Sequence, residues 1–190
     1  MLEKIKRNCR EDALEEEDIE KLIGACSNKL EKLIIIGLIY TGMRVSEFSH
    51  FKAGWIKWQN NIIQIPSQMP CSCPECRGSW KPKSKNGARI IPIIDERLRA
   101  VLRNYFTLYD DIKMHRSTIF RKVREIASRT DIKNKVYPHS LRATFATMLA
   151  YKGVSAGTLM TVLGWGRIDT AQHYIQKSGI RAIEELREKW

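Results

Sequence analysis

A chain of 190 residues is long enough for one well-buried domain with at most a small appendage, and its 33 Lys and Arg against 21 Asp and Glu give a formal charge of +12. That balance disfavours a neutral small molecule as the main partner and favours a polyanion, nucleic acid first. Apolar runs fall short of the ~20 residues needed to span a bilayer, the longest covering residues 33–40 with Gly37 inside it. The start, MLEKIKRNCREDALEEE, lacks the apolar centre of a secretory leader, so a cytoplasmic protein with no membrane partner is expected. The five cysteines are odd in number and three crowd into CSCPEC, which argues against a disulfide framework and for a metal knuckle as the alternative.

Residues 1–12 are polar and basic and read as a tether or the stub of a missing domain, with residues 13–190 forming the domain proper. In LEEEDIEKLIGAC, acids in the first turns and Leu14, Ile19, Leu22 and Ile23 on one face predict a helix. NKLEKLIIIGLIYTG follows as an almost wholly apolar helix that crosses the core and stops near Gly42. TGMRVSE then sets Arg44 at the next helix start, with Glu47 one turn on as its simplest partner. Strands are predicted at residues 54–58 and 62–65, joined by a turn at 59–61. After the cysteines, KPKSKNGARIIPI reads as a β-hairpin: a Lys-rich limb, a turn at Asn86 and Gly87, and a strand over residues 88–93, with Lys85 at the tip.

The remainder predicts helices over residues 95–105, 116–129, 140–151, 155–163, 170–177 and 180–188. Ser155 and Asp169 or Thr170 are the expected caps, and Gly153, Gly164 and Gly166 mark boundaries. In this part His139 and Arg142 stand three apart, on one helical face, where they could meet a single phosphate. Trp165 follows, then Tyr174, whose phenol would be a latent oxygen nucleophile beside a cationic cluster.

Each of these motifs is weak alone. Their ordered set resembles the tyrosine recombinase family of integrases and Xer-type resolvases: Arg44 in TGMRVSE, Lys85 before NGARIIPI, His139 and Arg142 in HSLR, Trp165 in LGW, and Tyr174 in TAQHY. The resemblance covers nearly the whole chain. It implies an α+β, mainly α, catalytic domain with a small antiparallel three-stranded sheet and a β-hairpin. It further implies a site-specific recombinase that cleaves and rejoins double-stranded DNA through a 3′-phosphotyrosyl intermediate, without metal or ATP in catalysis. In that scheme Tyr174 attacks the phosphodiester, Arg44 and Arg142 clamp its non-bridging oxygens, Lys85 protonates the leaving 5′-oxygen, and His139 contacts the phosphate or handles the proton of Tyr174. Glu47 braces Arg44. A homotetramer on DNA is implied as well.

Three features depart from the family pattern. Trp165 stands where histidine is commoner; its indole N–H donates one hydrogen bond but accepts no proton. Cys71, Cys73 and Cys76 resemble part of a zinc knuckle, but a closed site wants four ligands, and Cys9, Cys26 and His50 are only distant candidates for the fourth. A structural zinc would fix the loop that carries Lys85. Finally, family members commonly carry an N-terminal DNA-wrapping domain where this chain has about a dozen residues, so a fragment or a minimal enzyme with salt-sensitive DNA binding is expected. The helix at residues 180–188 is expected to dock on a neighbouring protomer or on its own domain. The competing readings are a type IB topoisomerase-like relaxase, which shares the phosphotyrosine chemistry, and a non-catalytic DNA-binding protein on the same scaffold.

Overall fold

The computed structural model describes residues 12–112 and 114–189. Of the expected tether, residues 1–11 lie outside the described part, and Cys9 with them. Eight α-helices and two small antiparallel sheets make up the described fold, which is the mainly helical α+β arrangement expected.

Helix α1, Glu16–Gly24, places Glu16, Glu17 and Asp18 in its first turn and buries Ile19 and Leu22. Helix α2, Lys29–Thr41, starts at Asn28, whose side chain accepts from the Glu31 amide, and ends at Gly42 in the left-handed conformation. It is apolar on every side, so it is stable only when surrounded. Leu33, Ile34, Ile35, Leu38 and Ile39 are fully buried, against α1 and three later helices: α4, Glu96–Phe106; α5, Arg116–Ala127; and α6, Pro138–Tyr151. Helix α3, Val45–Phe48, is a single turn. Helix α7, Ala156–Leu163, is capped by Ser155 as expected, and α6 and α7 together carry α8, Ile168–Lys189.

The larger sheet has the order β1 (Ile56–Lys57), β2 (Ile62–Ile65), β5 (Arg89–Pro92). Its register opposes Ile63 to both Ile56 and Ile91, and Ile65 to Arg89, and these five residues form its buried face. The smaller sheet pairs β3, Met69–Cys71, with β4, Gly78–Trp80.

Three local expectations need correction. The strand expected over residues 54–58 shrinks to β1, because Ala53–Trp55 and Trp58–Asn60 form 3₁₀ turns on either side. The hairpin expected around Asn86 and Gly87 does not form: β5 pairs with β2 instead, the Lys-rich limb joins no ladder, and Lys85–Gly87 is a 3₁₀ turn. The hairpin that does form closes around the cysteines. Last, the two helices expected after residue 169 are one continuous α8, which starts at Ile168 and takes Asp169 and Thr170 into its first turn. The register of β5 explains the second difference. Ile91 faces the core, and pairing with β2 sets it opposite the fully buried Ile63.

Candidate active site

The end of α7 organises the site. A helix leaves its last carbonyls without intrahelical partners, and its C-terminus carries partial negative charge. Here three guanidiniums take those carbonyls in turn: Arg89 Nε donates to Val162 O at 2.7 Å, Arg142 Nη2 to Leu163 O, and Arg44 Nη2 to Gly164 O at 3.1 Å. Arg142 Nη1 reaches the other way, to the carbonyl of Gly42. Gly42 and Gly164 both adopt positive φ, 57° and 61°. Neither position has room for a side chain: a Cβ would stand 2.4 Å from the Phe145 ring at Gly42 and 2.6 Å from the Asn86 carbonyl oxygen at Gly164.

One carboxylate joins the arginines. Glu47, with its side chain fully buried, accepts from the Arg44 amide (2.9 Å) and Arg44 Nη1 (2.9 Å), and from Arg89 Nη1 (3.0 Å) and Nη2 (2.9 Å). Burial alone would push its pKa up; the paired Arg89 and Arg44 outweigh that and hold it below the usual carboxylate value. Arg89 has only 2% of its side chain exposed, whereas Arg44 keeps 19% open to solvent. Burial, followed by the charges of Arg44 and Arg89, pulls Arg142 down to about 9, with Glu47 and Tyr174 acting in the opposite sense. The cluster is therefore short of negative charge.

His139 opens α6 at the surface of the same cluster. Partial burial of its ring, and then the charges of Arg142, Arg44 and Lys83, lower its pKa and favour the neutral imidazole. Tyr174, on α8, is 6% exposed and stacks on Trp165 with ring centroids 5.3 Å apart and planes 14° apart. The Arg142 guanidinium lies 5.9 Å from the centre of the same indole. Arg44, His139, Arg142, Trp165 and Tyr174 are thus brought together by α3, α6, the end of α7, and α8.

A model of the phage integrase family matches residues 12–179. The chain belongs to the phage integrase family. It is 30% identical over 169 residues to tyrosine recombinase XerA of Saccharolobus solfataricus, covering 85% of this chain and 51% of that relative. To a tyrosine recombinase of Pseudothermotoga lettingae it is 29% identical over 189 residues, covering 92% and 60%. The chain spans about half to three fifths of the length of these relatives. Among solved structures, a XerA recombinase superposes with a TM-score of 0.71 at 25% identity over 92% of this chain and 63% of that one. The catalytic domain of bacteriophage HP1 integrase shares the fold, with a TM-score of 0.55 at 21% identity and 86% of each chain covered.

Lys85 sits differently from the other expected site residues. It is exposed on its 3₁₀ turn, and the turn itself is tied to the cluster: Asn86 Nδ2 donates to Trp165 O at 3.1 Å, and Gly87 O accepts from Arg89 Nη1 at 2.9 Å. Two groups went unnoticed in the sequence. Lys83, on the same limb, is the lysine whose charge reaches His139. Arg89 is the second partner of Glu47 and bonds both α7 and the lysine turn. Its signal was present in RIIPI: strand alternation puts Arg89 on the face of Ile91, so a buried Ile91 implies an inward arginine. The thiols of Cys71, Cys73 and Cys76 gather at the β3–β4 turn, apart from this cluster.

Proposed function

We propose that this chain is the catalytic domain of a site-specific DNA recombinase that cuts and rejoins strands through a 3′-phosphotyrosyl intermediate. The observation that supports this most directly is the meeting of three guanidiniums and a single carboxylate at the end of α7, beside the Tyr174 phenol. Such a surplus of positive charge suits a phosphodiester and suits its pentacoordinate transition state better, because that state carries additional negative charge.

In the proposed reaction the Tyr174 oxygen bonds to phosphorus as the bond to the 5′-oxygen breaks. The phenolic proton passes to neutral His139 or to solvent, and a lysine of the limb at 83–85 delivers a proton to the leaving oxygen. Arg44 and Arg142 hold the non-bridging oxygens. Arg89 and Glu47 keep Arg44 in place without touching the DNA. The Trp165 indole supports the tyrosine and donates a hydrogen bond where another family member would have an imidazole. Because the Tyr174 ring is 6% exposed, the ring or its helix has to turn outward when DNA binds. The bond energy is kept in the phosphotyrosine, so ligation needs neither metal nor ATP. Assembly of four copies on paired DNA sites belongs to the same proposal.

A nicked suicide duplex carrying the cognate site tests it. Wild type should form a covalent adduct that survives a denaturing gel, and Tyr174→Phe should form none. Arg44→Ala and Arg142→Ala should each lower the cleavage rate by about 10²–10³, the scale of a lost oxyanion donor. Substrates with a 5′-phosphorothiolate leaving group identify the general acid, because they restore cleavage to the variant lacking it; Lys83→Ala and Lys85→Ala are compared in this way. Site-independent relaxation of supercoiled plasmid would point to swivelling in place of strand exchange, and an adduct persisting in Tyr174→Phe would remove the nucleophile assignment.

A further inference from the structure

The turn between β3 and β4 brings Cys71, Cys73 and Cys76 together with His50, and their four ligand atoms all lie within 4.8 Å of one another. His50 was a distant candidate in sequence, being 23 and 26 residues from Cys73 and Cys76, yet its Nε2 stands 3.5 Å from Cys73 Sγ and 3.3 Å from Cys76 Sγ. Zn–S bonds of ~2.3 Å and Zn–N bonds of ~2.0 Å in a tetrahedron require ligand-to-ligand edges of about 3.5–3.8 Å, close to these separations. Cys26, the other cysteine described, is buried near the end of α1 with its Sγ 3.4 Å from the Leu22 carbonyl oxygen, and it takes no part.

The surroundings also fit a metal. His50 Nδ1 lies 2.8 Å from the Ser46 carbonyl oxygen, which can only accept, so the N–H sits on Nδ1 and the Nε2 lone pair faces the thiols. The His50 ring stacks on Trp80 at 5.3 Å, which orients it further. Arg77 and Gly78 take positive φ, 47° and 92°, folding the chain back directly after Cys76. Glu75, between two of the cysteines, is anchored to His115 at 2.8 Å and to Arg116 at 3.3 Å, at the start of α5.

We infer that His50, Cys71, Cys73 and Cys76 form a structural zinc site of the Cys₃His class, closed by a ligand from the end of α3. Four protein ligands leave no open position, so the ion has no part in strand chemistry. Its effect is mechanical. It fastens the β3–β4 turn to the segment that follows Arg44 and Glu47, and β4 leads directly into the lysine limb. The metal assignment does not depend on the recombinase reading, since it is measured without DNA.

The test uses the full chain. Protein purified under reducing conditions should contain close to one zinc per chain by mass spectrometry. Replacing zinc with cobalt(II) should produce thiolate-to-cobalt charge transfer and the intense visible bands of a tetrahedral ion. His50→Ala should weaken cobalt affinity by more than the roughly 10- to 100-fold that loss of an outer-shell partner costs. Cys9→Ser and Cys26→Ser should leave it unchanged. Chelation of wild-type protein should speed amide hydrogen exchange across residues 66–83, and added zinc should reverse it; this arm holds even if the cysteine variants fold poorly. The inference is overturned if reduced protein takes up neither zinc nor cobalt. An unaltered cobalt spectrum and affinity in His50→Ala, or loss of the metal in Cys9→Ser, would overturn the ligand set.

Discussion

Arg142 and Arg89 are both buried arginines in one cluster, yet they do different work. Arg142 gives one N–H from each Nη to a backbone carbonyl, those of Gly42 and Leu163, and among the described residues it has no carboxylate of its own, so its charge and its other N–H groups remain for a phosphate. Arg89 is neutralised by Glu47 through two hydrogen bonds. Replacing Arg89 by Met should therefore act through the fold: it leaves the fully buried Glu47 with Arg44 as its remaining guanidinium, at a cost of about 3–5 kcal/mol in urea unfolding. Adding Glu47→Gln to Arg89→Met should recover part of that loss.

The pKa of Glu47 is depressed in the folded chain, so its contribution to stability is complete above the ordinary value of 4.5 and is lost as pH falls through the folded value. Under the proposed function, His139 should respond to DNA in the opposite direction. Burial, and then the charges of Arg142, Arg44 and Lys83, hold its pKa below the ordinary 6.5, and a DNA phosphate bound as proposed would offset those charges and raise it again. Binding should then take up a proton, and affinity should increase, by at most about tenfold per pH unit, as pH falls from the bound pKa of His139 to its lower free value, and level off below that. Fluorescence anisotropy on Tyr174→Phe protein measures this without cleavage, and the added change His139→Asn should flatten the profile.

Among the structural elements, the C-terminal end of α7 does most to assemble the site, and Gly164 is its most sensitive position. A Cβ there meets the Asn86 carbonyl at 2.6 Å and the Arg89 side chain at 3.1 Å, so Gly164→Ala has to displace the lysine turn or unseat Arg89, besides straining a positive φ. We expect it to cost more than about 1 kcal/mol in denaturant unfolding and to lower cleavage further than the stability loss explains. Gly153→Ala is the control: its φ of 75° imposes similar strain, but no atom lies within 4 Å of the added carbon. Equal cleavage by the two variants would show that α7 does not position the site.

The chain as a unit carries a formal charge of +12. For a protein that neutralises Z phosphates, log K should fall with log salt at a slope near −0.9Z, so affinity for a non-specific duplex should drop steeply between about 50 and 200 mM salt. Arg44→Ala should reduce that slope by about one contact, and Arg89→Met should leave it unchanged, because Arg89 is buried against Glu47. Among the described residues no helix is long and apolar enough to cross a membrane, so the apolar α2 is accounted for by burial within the domain.

Much of this could be read directly from residue order. An all-apolar α2 has to be surrounded, Ser155 before an apolar run caps a helix, and His139 three residues before Arg142 shares a helical face, because these relations depend on neighbours within a turn or two. The motif order from Arg44 to Tyr174 likewise carried the family resemblance. Long-range relations were another matter. The bond from Arg44 to the Gly164 carbonyl spans 120 positions, and that from Arg89 to Val162 spans 73. The pairing of β5 with β2, the merging of two expected helices into α8, and the approach of His50 to the thiols all depend on which surfaces exclude water together. Local pattern selects the elements and their faces; packing of the entire core selects which faces meet, and that selection placed Arg89 on Glu47 and a histidine among three cysteines.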